Sequence, residues 1–291
     1  MAAELAGVEV EEIVLPEDHD MVVHGMRLHY LDWGTRGCCP IVFLHGGALN
    51  AHTWDVVCLT LRPGYHCIAL DQRGHGDSAW SPEMDYGPEA HLRDIEGFVE
   101  RLGLDHFVLV GHSMGGLHAF LYAARHSGRL AGLALVDVGP DVRVDGAERI
   151  HRFVSQTAEV SSLDEAVQRA LAFNPRRHPR LLRRSLLYNF RRLPDGRWTR
   201  KHDPRHWTGR GAADIAAQAR EWWKDPERVS CPTLILRGAV SDVFHDEDAE
   251  RFARALPNGR WVRVEDAGHT VQGDNPRGLA EALANFLRGI S

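Results

Sequence analysis

Apolar residues in this chain fall into two kinds of stretch. Some form short continuous runs rich in β-branched residues; in others they recur every three to four positions. The two kinds alternate, as strands and helices do in a mostly parallel sheet covered on both faces. Val8 to Leu15 and Met26 to Trp33 alternate in polarity and are joined through His24-Gly25, which predicts an antiparallel opening pair. Pro40 to Leu44, Tyr65 to Leu70, Phe107 to Val110, Leu130 to Val138, Thr233 to Leu236 and Trp261 to Val264 read as buried strands. Gly115 to His126 reads as a helix with Leu117, Phe120, Leu121 and Ala124 on one face. Pro276 to Leu287 reads as the closing helix, with proline in its first turn.

Between Pro140 and Glu227 the strand pattern stops, and arginines and aromatics dominate. In the run from Arg176 to Arg184 and just beyond it, Leu181, Leu182, Leu186 and Leu187 supply an apolar face. The arginines therefore read as the solvated face of an amphipathic helix. Asp195-Gly196 marks a turn. The expected organisation is a core made of residues 1–139 and 228–291, with residues 140–227 inserted as a helical cap over the C-terminal strand edges. Phe153, Phe173, Tyr188, Phe190, Trp198 and Trp207 offer the cap aromatic surface, for a partly apolar pocket or for packing onto the core.

Composition narrows the picture. A chain of 291 residues, 44% hydrophobic, can bury a full core as one domain with an insertion. Its net charge of −6 argues against a nucleic-acid partner, because phosphate neutralisation needs a surplus of Lys and Arg. The five cysteines are odd in number and lack metal or disulfide spacing, and Cys38 and Cys39 are adjacent. Reduced thiols in a cytoplasmic protein account for them. The first residues carry Glu4 where a signal peptide would carry Lys or Arg, and no apolar run is long enough to span a membrane.

The chemistry gathers around Gly111-His112-Ser113-Met114-Gly115, which joins a predicted strand to a predicted helix. A turn that sharp strains the backbone at Ser113 and admits only small residues on either side. It exposes the Ser113 hydroxyl as a nucleophile and leaves the Met114 N–H as an oxyanion donor. The second donor is expected from the loop after His45-Gly46, at the Gly47 N–H. Eighteen histidines could supply the base, so position decides. His269 stands just past the last strand, where loops at the C-terminal sheet edge share a crevice. His45, His75 and His112 read as turn-shaping residues. For the orienting acid, Asp242 follows the strand Thr233 to Leu236 at the same edge, in the chain order Ser, Asp, His. Asp137, after the preceding strand, is its rival, and Asp242 is preferred. Asp71-Gln-Arg-Gly-His-Gly-Asp-Ser78 lacks the spacing of a phosphate-binding loop and reads as a turn building the floor of the site.

Taken together, His45-Gly46-Gly47, the Asp71 to Ser78 loop, Gly111 to Gly116, Arg237 to Asp242 and Gly268-His269 resemble the alpha/beta hydrolase superfamily. The likeness extends from about Val22 to Leu287. It implies an α/β fold with an eight-stranded, mostly parallel sheet, helices on both faces and a helical cap inserted near Val138. It also implies a triad of Ser113, Asp242 and His269, with Gly47 and Met114 as oxyanion hole, working without metal or cofactor. A serine at position 113 places the chain in the esterase-like branch, unlike superfamily members with an aspartate nucleophile. The expected substrate is a small or medium, partly apolar carboxylic ester. A lactone or enol-lactone is the alternative, and C–C bond hydrolysis a more distant one. From another class, a receptor that binds its ligand with little turnover would use the same pocket. Monomer and homodimer both remain open.

Overall fold

The computed structural model describes residues 2–207, 220 and 223–290. Eight strands form one sheet: β1 (Glu17–Val23), β2 (Met26–Asp32), β3 (Pro40–Leu44), β4 (His66–Leu70), β5 (Phe107–His112), β6 (Leu130–Val136), β10 (Thr233–Gly238) and β11 (Gly259–Val264). Their order is β1-β2-β4-β3-β5-β6-β10-β11, parallel from β4 onward, with β1 and β2 antiparallel at one edge. The remaining strands, β7 (Glu159–Val160), β8 (Phe190–Arg192) and β9 (Trp198–Arg200), pair in a separate antiparallel sheet.

The central strands are apolar without interruption because both of their faces are covered. On β5, Phe107 and Leu109 face one apolar layer while Val108 and Val110 face the other. Helices Pro88–Arg101, Met114–His126 and Asp246–Ala255 close the first layer; Asp55–Leu61 and Pro276–Arg288 close the second.

The opening strand differs from expectation. The two-residue turn at His24 and Gly25, both at positive φ, pairs Val23 with Met26 and carries the ladder out to Glu17 opposite Asp32. That register occupies Glu17–Val23 and leaves residues 8–15 outside the sheet. Val8 still buries itself in the core, while Ile13 and Leu15 are exposed.

The insertion after β6 also departs from the all-helical expectation. Its helices Val144–Gln156, Leu163–Phe173 and Pro179–Asn189 are joined by the three-stranded β7-β9-β8 sheet. Asp195-Gly196 makes the turn between β8 and β9, with Gly196 at φ +88°. Such short strands, with two or three residues each, leave too little alternation to be read from sequence. Leu182 and Leu186 enter a small core of their own with Phe190, whereas Leu187 is exposed. Several cap side chains bind the main body rather than solvent. Arg177 pairs with Asp274, Arg184 with Asp55, and Lys201 with Asp77. The side chain of Trp207 lies outside the described residues. Among the described residues no helix is long and apolar enough to cross a membrane.

Seven histidines are buried: His29, His45, His75, His91, His112, His118 and His202. Burial holds six of them below the usual imidazole range, His118 and His202 at about 3. Burial also opposes charge on His29, but hydrogen bonds and proximity to Asp71 outweigh it and raise its pKa. The six depressed groups bind protons in the unfolded chain below about pH 6.5, while the folded protein excludes them. Their contribution is therefore complete above pH 6.5 and is lost as pH falls toward the folded values. His29 acts oppositely, losing its contribution as pH rises through its raised value. Each depressed histidine adds up to about 1.4 kcal/mol per pH unit. Urea unfolding should thus show stability dropping by several kcal/mol between pH 6.5 and pH 5; a flat profile over that interval would contradict the neutral buried cluster.

Candidate active site

Ser113 follows β5 and precedes the helix Met114–His126, with φ +50° and ψ −118°. The glycines around it are imposed by backbone crowding. A Cβ at Gly111 would lie 2.3 Å from the Gly115 carbonyl oxygen, and one at Gly115 would lie 2.5 Å from the oxygens of Leu44 and His45. The Ser113 N–H donates to Val136 O, tying the turn to the end of β6. Met114 is the first helical residue, so its N–H has no acceptor within the helix.

His269 reaches this serine from the loop after β11. Its Nε2 stands 3.0 Å from Ser113 Oγ, and its Nδ1 stands 2.8 Å from Asp137 Oδ2. Asp137 comes directly after β6 and is completely buried, at φ +50°. Its other hydrogen bonds come from the Gly238 N–H at 2.8 Å and the Ser241 hydroxyl at 2.5 Å. Donors therefore surround the carboxylate, which removes the main cost of burying it. With Asp137 as acceptor, the Nδ1 of His269 carries the proton and Nε2 is free to accept one from Ser113.

Asp242, the preferred acid on sequence grounds, does not stand behind His269. Its carboxylate pairs with Arg149, 2.7 Å from Nη2, and is partly exposed. The β6 and β10 ends are neighbours, so either could have supplied the acid. The loop after β10 turns Ser241 inward onto Asp137 and leaves Asp242 facing the cap. Reading the strand as far as Val138 hid this arrangement. The strand ends at Val136, and the left-handed backbone at Asp137 swings its side chain out of the sheet.

Histidines near the glycine motifs hold the frame. His112 Nε2–H donates to the His269 carbonyl at 2.8 Å, and His112 Nδ1 accepts from Gln272 at 3.1 Å. His112 thus positions the loop bearing His269, a link that its place in the motif does not reveal. Gly46 makes room for it, since a Cβ there would lie 2.5 Å from His112 Nδ1. His45 Nδ1–H donates to Gly46 O, and its Nε2 accepts from Gln72 N. His75 donates to Arg73 O. Asp274 accepts from Gly268 N at 2.9 Å and also holds Asn174 and Arg177 of the cap, so one buried carboxylate joins cap and histidine loop.

The Asp71 to Ser78 loop stands one layer behind the site; among the described residues none of it lines the cavity. Asp71 accepts from Ala51 N, Asp77 N and His29 Nδ1, and Gly76 is required because its Cβ would overlap the Asp71 carboxylate. Through Gln72 the loop braces His45 and hence the turn carrying Gly47.

Ser113, His269, Gly47 and Met114 open on a cavity of about 290 Å³. Cap residues Ile150, Phe153, Val154, Phe173, Leu182 and Leu186 supply its apolar wall, and Arg149, Arg176, Arg177 and Arg200 also reach it. Tyr188 stacks instead on His52, at 3.6 Å between ring centres, and Trp198 packs on the small cap core.

Replacing the acid separates the two aspartates. Asp137→Asn should lower kcat about 10⁴-fold, as the same change does in serine-protease triads, because the amide cannot accept from all three donors and favours the wrong imidazole tautomer. Asp242→Asn should change kcat less than tenfold. The reverse ranking, measured on any ester the wild type turns over, would return the role to Asp242.

Comparison with known proteins gives the family. Residues 40–276 match the family profile of the alpha/beta hydrolase fold. Esterase Rv0045c of Mycobacterium tuberculosis is 34% identical over 88% of this chain and 85% of its own length. Its crystal structure superposes with a TM-score of 0.77, at 31% identity, covering 99% of this chain and 95% of that one. The sn-1-specific diacylglycerol lipase ABHD11 of Mus musculus is 30% identical over 85% of this chain and 80% of its own. The chain belongs to the alpha/beta hydrolase fold family and is a hydrolase.

Proposed function

We propose that this hydrolase cleaves carboxylic esters of small to medium, partly apolar substrates through an acyl-enzyme on Ser113. The observation that carries the reading is the unbroken hydrogen-bonded chain from Ser113 through His269 to Asp137 in the lining of a mixed polar and apolar cavity. The esterase and lipase among its relatives support the ester class.

His269 takes the Ser113 proton as Oγ attacks the ester carbonyl. The N–H groups of Gly47 and Met114 hold the oxyanion, where each donor contributes about 3 kcal/mol if the subtilisin precedent transfers. The tetrahedral intermediate collapses, the C–O bond to the alcohol breaks, and His269 protonates the departing oxygen. Water then attacks the acyl-enzyme with His269 as base, releasing the acid and restoring the Ser113 hydroxyl. Throughout, Asp137 holds the imidazole tautomer and stabilises its cation. Residues 140–227 serve as the cap that shapes the acyl and alcohol pockets.

A panel of p-nitrophenyl acyl esters and simple lactones checks this directly. Wild type should show multiple turnovers on at least one ester and covalent labelling by a fluorophosphonate. Ser113→Ala should lose both, with kcat down by at least about 10⁴-fold. Full activity in Ser113→Ala would remove the serine from the mechanism. Ligand-dependent thermal stabilisation without turnover would favour a receptor.

A further inference from the structure

Arg200, at the end of β9, is 7% exposed and lines the cavity shared with Ser113. Its guanidinium lies over the rings of Phe190 and Phe153, 4.9 and 5.7 Å from their centres. Nε donates to Thr157 O at 3.2 Å and Nη2 to Thr157 Oγ1 at 2.6 Å. Nη1 makes no hydrogen bond to a described residue, and no carboxylate among the described residues pairs with this cation.

The other shielded arginines are treated differently. Arg73 has Asp94, Arg177 has Asp274, and Arg237 has Asp246. At Arg73 burial disfavours the charge, yet the hydrogen bonds it donates to Asp94 outweigh it and the pKa rises. At Arg200 burial pulls the value down to about 10, with no opposing carboxylate among the described residues. That is still far above neutrality, so the group is a cation in an apolar wall. Aromatic faces and a threonine satisfy part of it. A buried charge without a counter-ion is costly, and the cavity is where one can reach it.

We propose that Arg200 is a specificity residue that pairs with a carboxylate on the substrate, remote from the ester that Ser113 attacks. The site would then favour esters carrying one free carboxylate over neutral esters of the same length. A guanidinium whose Nη1 makes no hydrogen bond to a described residue, in a side chain that lines the cavity, is suited to carboxylate, which accepts two parallel N–H bonds. Arg176, exposed on the same cavity, adds to the positive field. The two partnered acids at the cavity, Asp137 with His269 and Asp242 with Arg149, do not neutralise Arg200.

This inference rests on the ester-hydrolase reading, and one experiment keeps the two apart. Monoethyl esters of glutarate, adipate and pimelate are compared with ethyl valerate, hexanoate and heptanoate, followed by acid release in a pH-stat. 4-Acetoxybutanoate against butyl acetate places the carboxylate on the alcohol side instead. Wild type should favour one anionic series at least tenfold in kcat/KM. Arg200→Gln should cut that anionic-to-neutral ratio at least tenfold, and Arg200→Lys should keep part of it. If Arg200→Gln does not fold, competitive inhibition of wild type by adipate but not by adipamide serves as the second measurement. A ratio near one for every length and both sides, or a ratio that Arg200→Gln leaves unchanged, overturns the role of Arg200 while the esterase stands. Equal inhibition by adipate and adipamide does the same. No turnover of either series, with no fluorophosphonate labelling of Ser113, overturns the esterase reading itself.

Discussion

At Ser113 the chain must leave the end of β5 and enter a helix almost at once, with the serine held at positive φ. Everything around the site is arranged to tolerate that corner. The carbonyls of Leu44, His45 and Gly115 crowd so closely that side chains at Gly111 and Gly115 have no space. The same closeness brings the His45-Gly46-Gly47 turn beside the helix N-terminus, where a Cβ at Gly46 would lie 3.3 Å from Ser113 Cβ. The strained position of Ser113 and its nearness to that turn are thus consequences of a single packing constraint between strand and helix.

The second requirement is electrostatic. Asp137 is wholly buried, and its carboxylate is tolerable because His269, Gly238 and Ser241 all donate to it. These donors come from the last residue of β10 and from the loops after β10 and β11, so Asp137 draws adjoining strand ends into one site. His112 and Gln272 then fix the backbone of the histidine loop from below. An imidazole placed by so many separate bonds has little freedom to choose another rotamer and is held against the Ser113 hydroxyl.

Charge fastens the inserted segment to the main body at several points. Arg177, Arg184 and Lys201 each find a carboxylate of the main body, and Asp274 serves the cap and the histidine loop together. Arginines that looked like a solvated helix face are in part the rivets of the cavity roof. Arg200 stands apart because it has aromatic rings and a threonine where its counterparts have an acid.

The parallel sheet, the serine corner and the histidine past the last strand were legible because each depends on residues close together in sequence. Continuous apolar runs mark strands buried on both faces, and paired glycines mark the crowded turn. Which carboxylate stands behind His269 was not legible. Asp137 and Asp242 follow strands that lie side by side, and only the inward turn of Ser241, with the left-handed backbone at Asp137, decides between them. The first strand shifted to Glu17–Val23 because hairpin register outranks alternation of polarity. Cap strands were too short to carry a period. Local steric rules can therefore be read along the chain, whereas which buried charge finds which partner depends on distances across the fold, such as the 132 residues separating Asp137 from His269.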